Sequence, residues 1–195
     1  MRSLRLIVPA VLLALASGPA LAADRTKAKG KKVKYEVHSG YLMRLKAYQD
    51  ARAADTSNLG LYFFMSFTDQ DSFDKAFGKS TAAKGNLNDF IPNGQPKGTK
   101  PKFLSKNAFD KKLVVAAIHN GMRIYKYKVA SVTADGDTLY VKYSADSTVG
   151  YPNSYACPLI VSVDKGKYAS VVFIENGQKF GTATIGTQKK KGKEK

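Results

Sequence analysis

The second half of the chain is cut at short intervals by turn-forming residues, and that punctuation limits the fold more than any other feature. Residues 113–119 (LVVAAIH) are apolar and run into Asn120-Gly121. A long segment follows from Met122 to about Thr133 and meets Asp135-Gly136-Asp137, after which Leu139, Val141 and Tyr143 alternate with Thr138, Tyr140 and Lys142. Leu159, Val161 and Val163 open another run, which Asp164-Lys165-Gly166 ends. Asn176-Gly177 then separates residues 168–174 from 178–185. A two-residue period belongs to strands with one face buried, and glycine-containing turns this short predict antiparallel neighbours. The expected fold is mainly β (α+β): an antiparallel sheet curled into a sandwich or open barrel, with one short helix.

The first half fills in that picture. Val33, Tyr35 and Val37 alternate with Lys34, Glu36 and His38, which reads as a half-buried first strand. In residues 41–54, Tyr41, Leu45 and Tyr48 have helical spacing, yet the stretch also suits an irregular extension of that strand. Residues 59–67 (LGLYFFMSF) are apolar on both faces and read as a central strand. Thr68 and Asp71 then look like a helix start, Phe73, Ala76 and Phe77 form its apolar stripe, and Gly78 ends it. Residues 79–106 lose periodicity and collect Gly, Pro, Asn and Lys, a long loop.

The N-terminus reads as an export signal. Arg2 and Arg5 precede eleven uncharged apolar residues, 6–16, too few to span a hydrocarbon core of about 30 Å. Ser17-Gly18-Pro19 breaks the helix, and the small residues that follow place cleavage between Ala22 and Ala23. The expected organisation is a signal peptide over 1–22, a basic disordered tail over 23–34, one β-rich domain over 35–188 and a Lys-rich tail over 189–195. The expected location is the periplasm or the cell exterior.

The formal net charge is +17, and much of it is terminal. Residues 24–34 carry six basic groups against Asp24, and residues 189–195 carry five lysines against Glu194. Such segments neutralise anionic polymers through counterion release, or serve only to keep a chain soluble. The candidate polyanion-binding residues are Lys27, Lys29, Lys31, Lys32, Lys34, Lys97, Lys100, Lys102, Lys189, Lys190 and Lys191. An anionic polysaccharide or a membrane surface is the partner they suit. Export takes the chain away from most nucleic acid, and on a strand Tyr125 and Tyr127 face away from Lys126 and Lys128, so this interleaved stretch reads as ordinary in–out alternation.

Groups for chemistry are few. His38 and His119 are the two histidines and Cys157 the one cysteine, so no internal disulfide forms. No HExxH, P-loop or GxSxG pattern is present. A Cys157–His119 dyad would need the two to meet in space, whereas His119 reads more simply as a strand-end polar residue. Asp69, Asp71 and Asp74 match no EF-hand spacing and suit a helix start. The inventory predicts no enzyme, no metal and no cofactor.

The order of features from Tyr62 to Gly166 resembles the PrcB-like family, named for a subunit that stabilises an exported bacterial protease complex. The similar segments are FFMSFTDQDSFDKAFG, NAFDKKLVVAAIHNG, YKVASVTADGDTLYVKYSAD and PLIVSVDKG. Where members of that family carry a Thr-Gly-Gly-Tyr loop after the apolar strand, this chain has Asn120-Gly121-Met122-Arg123-Ile124-Tyr125. The resemblance implies a non-catalytic binding or assembly role beside another exported protein, with no catalytic residues to carry over.

Overall fold

The computed structural model describes residues 30–54, 60–81, 89–93, 100–150 and 154–186. The segment read as an export signal and the expected Ala22–Ala23 junction lie outside them. Twelve strands and three helices follow one another in these residues as β1 (Lys31–Lys32), β2 (Tyr35–His38), β3 (Tyr41–Arg44), α1 (Leu45–Ala54), β4 (Tyr62–Phe67), α2 (Gln70–Ala76), β5 (Phe77–Lys79), β6 (Phe90–Ile91), α3 (Ala108–Lys111), β7 (Lys112–Gly121), β8 (Arg123–Asp135), β9 (Thr138–Val149), β10 (Tyr155–Asp164), β11 (Ser170–Glu175) and β12 (Gln178–Thr184). The strands form a five-stranded sheet in the order β1-β8-β9-β11-β12, a four-stranded sheet β2-β10-β7-β4 and a small sheet β5-β3-β6. The fold is the expected β sandwich, with no closed barrel.

The four-stranded sheet is the middle layer. On β7, Leu113, Val115 and Ala117 face one core while Val114, Ala116 and Ile118 face another. The first core lies against the five-stranded sheet, with Val141, Val171 and Phe173 fully buried. The second lies under the helices and the small sheet, where Met43, Phe73 and Phe77 are inaccessible. Burial on both faces explains why residues 113–118 carry no polar side chain.

Two of the four turns are not hairpins. Both edges of β7 are taken, by β10 on one side and β4 on the other, so β8 has no free edge to pair with. The chain therefore crosses at Gly121 (φ +136°) into the five-stranded sheet. The same holds at Asp164-Lys165-Gly166. Because β10 is flanked by β7 and β2, β11 is delivered to the other sheet, where it pairs parallel to β9. The other two turns close β8 onto β9 and β11 onto β12. In the latter, Asn176 (φ 50°) and Gly177 (φ 85°) both take the positive φ of a type I′ hairpin.

Four local readings change with the fold. Residues 41–54 divide into a strand of a different sheet from β2, so not an extension of the first strand, and a helix from Leu45. The segment expected as a central strand is β4, an edge; its two apolar faces reflect the helical layer on one side and the sandwich core on the other. His38, read as the polar face of the first strand, is buried with Nε2 2.8 Å from Ser162 Oγ, while Val37 is 37 % exposed. The basic segment expected to be disordered over 23–34 contains a strand, since Lys31 and Lys32 pair with Ala134 and Thr133 of β8.

Helix α2 starts one residue later than the Thr68 reading places it. Asp69 is the N-cap, its carboxylate accepting from Ser72 N–H at 2.8 Å. The helix stops at Ala76 because Phe77 turns extended into β5. An Asp69→Ala variant leaves an N–H of the first turn without its acceptor and is expected to lose about 1 kcal/mol. Urea unfolding measures this, and a loss below about 0.3 kcal/mol would show that water replaces the cap without cost.

Candidate functional site

The lysines singled out from sequence do not converge. Lys31 and Lys32 lie on the edge of the five-stranded sheet. Lys34 and Lys102 lie instead beside β2, at the far edge of the four-stranded sheet, among acids. Lys102 Nζ and Lys112 Nζ each approach the Glu36 carboxylate at 3.7 Å, and Lys112 reaches Asp164 at 2.8 Å. The Lys112 hydrogen bond holds the Asp164 carboxyl below the ordinary range, with a smaller pull from Lys34. The Lys102 backbone is tied to Ser39, whose N–H donates to Lys102 O and whose Oγ accepts from Lys102 N–H. Lys100 is exposed. Lys27, Lys29, Lys97, Lys189, Lys190 and Lys191 fall outside the described residues.

The two groups of the paper dyad do meet, and burial quiets both. Cys157 stands opposite His119 in the β10–β7 register. The thiol is 2 % exposed, with Sγ 3.2 Å from Asn93 O, and burial pushes its pKa up. A thiol so placed stays protonated and is a poor nucleophile. His119 is held between aromatic faces, stacked on Tyr125 at 4.0 Å and on Phe180 at 5.2 Å. Its Nδ1 is 2.9 Å from Tyr127 Oη, which donates to Cys157 O at 2.6 Å. Its Nε2 lies 3.0 Å from a Glu175 carboxylate oxygen. Desolvation lowers His119 to about 4 and raises Glu175 and Tyr127, so burial works against the charged form of each. The cluster spans the two large sheets and reads as an internal polar clamp.

The most accessible feature built by the fold is a groove along β4. Asn120 N–H donates to Leu61 O at 2.8 Å, which fixes the pairing phase with β7. By the antiparallel pattern, the N–H and C=O groups of Tyr62, Phe64 and Ser66 then point away from β7. Among the described residues no strand pairs with that side. Instead α1 forms one wall, presenting Ala47 and Ala51 a helical turn apart, and β12 forms the other, with Ser66 Oγ donating to Thr184 O at 2.7 Å. Two cavities of about 380 and 700 Å³ share Ala51 and Met65 and run along the strand. Alanines keep the helix low, and charged side chains, Lys46, Asp50 and Lys75, form the rim. Three segments distant in sequence make this groove, so residue spacing alone gives no sign of it; the apolar run of β4 was the one local trace.

Comparison with family models, with curated proteins and with solved structures finds no match to this chain.

Proposed function

We propose that this chain is an exported, non-enzymatic accessory protein that holds an extended segment of another exported protein along β4. The observation that carries this reading is the open β4 edge lying at the bottom of an apolar groove. Unpaired main-chain groups are complementary to an extended backbone, and flanking apolar cavities take its alternate side chains. Natural edge strands this apolar are normally blocked by charge, proline or a covering element; residues 62–67 carry no charge or proline, and no strand among the described residues pairs with their open side. The PrcB-like order of features includes β4 and α2, which supports a partner in an exported protease complex. The buried thiol and the clamped histidine support a binding role over catalysis.

The test is a crosslinking pull-down from the native exported fraction with residues 23–195 as bait. Ala51→Arg fills the groove, while Ala53→Arg, at an exposed position on the same helix, adds the same charge elsewhere. A discrete partner is expected to be retained by the parent and by Ala53→Arg, and reduced at least tenfold by Ala51→Arg. Equal retention by both variants refutes binding along β4.

A further inference from the structure

The outer face of the five-stranded sheet carries a second surface, independent of the groove. Inward side chains of this sheet, such as Val132, Val141, Val171 and Phe173, fill the core. Alternation therefore turns their neighbours outward. Lys126 and Lys128 on β8, Lys142 on β9 and Lys179 on β12 all fall on that outer face, and Lys32 of β1 joins the row of Thr133. The register aligns Lys142, Ile174 and Lys179 across three strands. A shallow depression of about 400 Å³ lies among Lys128, Lys142, Ser144 and Ile174, which confirms that these side chains share a face. Two acids fall on the same face by the same alternation, Asp146 opposite Lys126 and Asp135 opposite Thr138 at the hairpin end.

We infer that this face binds a linear polyanion bearing repeated carboxylate or phosphate groups. Spacing and shape select that ligand. Lysines two apart on a strand are about 7 Å from each other, and Lys142 and Lys179, two strands apart, about 10 Å. A flat array with these intervals has no enclosure for a small anion and instead suits a chain that places charges in series. A bilayer is the weaker fit, because the exposed large apolar side chains of the described residues, Val37, Leu61, Met122 and Val149, do not lie between these lysines. Counterion release supplies the affinity, so binding must weaken as salt rises.

The experiment titrates residues 23–195 with long-chain inorganic polyphosphate and with polygalacturonate across a salt series, and also with phosphatidylglycerol vesicles. Lys126→Gln, Lys128→Gln, Lys142→Gln and Lys179→Gln are combined in one variant. A control of equal charge carries Lys79→Gln, Lys106→Gln, Lys111→Gln and Lys165→Gln, all exposed and on β5, on or next to α3, or in the turn after β10. The face variant is expected to lose roughly 3 units from the slope of log K against log salt, on the single-strand scale of about 0.7 per contact, and at least 30-fold in affinity at 0.1 M salt for one of the two polymers. The control is expected to stay within one slope unit of the parent. Binding of the face variant within twofold of the parent overturns the inference, as does an equal loss in the control or binding to vesicles without binding to either polymer. Unchanged melting temperatures in both variants tie the loss to the surface.

Discussion

Replacing Phe73 by alanine is expected to lower the stability of this protein by about 3–5 kcal/mol. Phe73 is 1 % exposed and comes from the middle of α2. Its ring meets Tyr41 and Phe67 edge-on at 5.1 and 5.3 Å, and lies tilted against Phe77 and Phe109 at 5.3 and 5.7 Å. These four rings come from β3, β4, the start of β5 and α3. One side chain thus joins four elements, and no neighbour is free to fill its space without leaving its own ring contacts. Total stabilities of domains are about 5–15 kcal/mol, so the variant should lie near the edge of folding. Thermal and urea unfolding measure the change, with Phe73→Leu as the milder comparison. A loss under about 1.5 kcal/mol would mean that the aromatic cluster repacks, contrary to the interlocked geometry. Function is coupled to this cluster, because α2 supplies Ser72 and Lys75 to the larger cavity of the β4 groove. Phe73→Leu should therefore weaken partner capture even at temperatures where the variant is folded.

The parts of this fold that are legible in the sequence are those settled between neighbours. Gly136 and Asn176-Gly177 sit between strands that each have a free edge for the other, and both turns close hairpins. Asn120-Gly121 is the same dipeptide with the opposite outcome. Whether it closes a hairpin depends on β4 and β10, which are made by residues 62–67 and 155–164 and occupy both edges of β7. His38 shows the same limit, since its buried partner Ser162 lies 124 residues away. The candidate sites follow this division. Lysines clustered along the chain, such as Lys97, Lys100 and Lys102, are conspicuous by eye, yet the described ones among them lie beside carboxylates or apart from one another. Lys128, Lys142 and Lys179 are separated by long stretches and become neighbours only across strands. The β4 groove needs α1, β4 and β12 together, and an alanine pair at 47 and 51 has no distinguishing mark until β12 is placed opposite it.

Stability is expected to fall as the solution is acidified from pH 7 to pH 4, and His119 is expected to account for a large share of that fall. The ring is 2 % exposed, and burial lowers its pKa from the ordinary 6.5 to about 4. Between those values the unfolded chain takes up a proton that the folded chain refuses. The contribution of His119 is thus complete above pH 6.5 and is lost as the pH drops toward 4, a difference of roughly 3 kcal/mol. His38 acts in the same direction, lowered chiefly by its burial, with Glu36 pulling the other way. Glu175, raised by desolvation, opposes them, because its folded state favours the proton and gains on acidification through the carboxylate range. Two histidines against one carboxyl leave a net loss in acid. The groups facing His119 are Glu175 and the tyrosines 62, 125 and 127, and burial raises Tyr125 and Tyr127 further from this window. His119→Phe keeps a flat ring between Tyr125 and Phe180 and removes the titrating group. Unfolding free energies measured at intervals from pH 7.5 to 4 should show the parent losing about 3 kcal/mol more than this variant. Parallel curves for the two proteins would mean that His119 takes up its proton without cost and that burial does not hold the ring neutral.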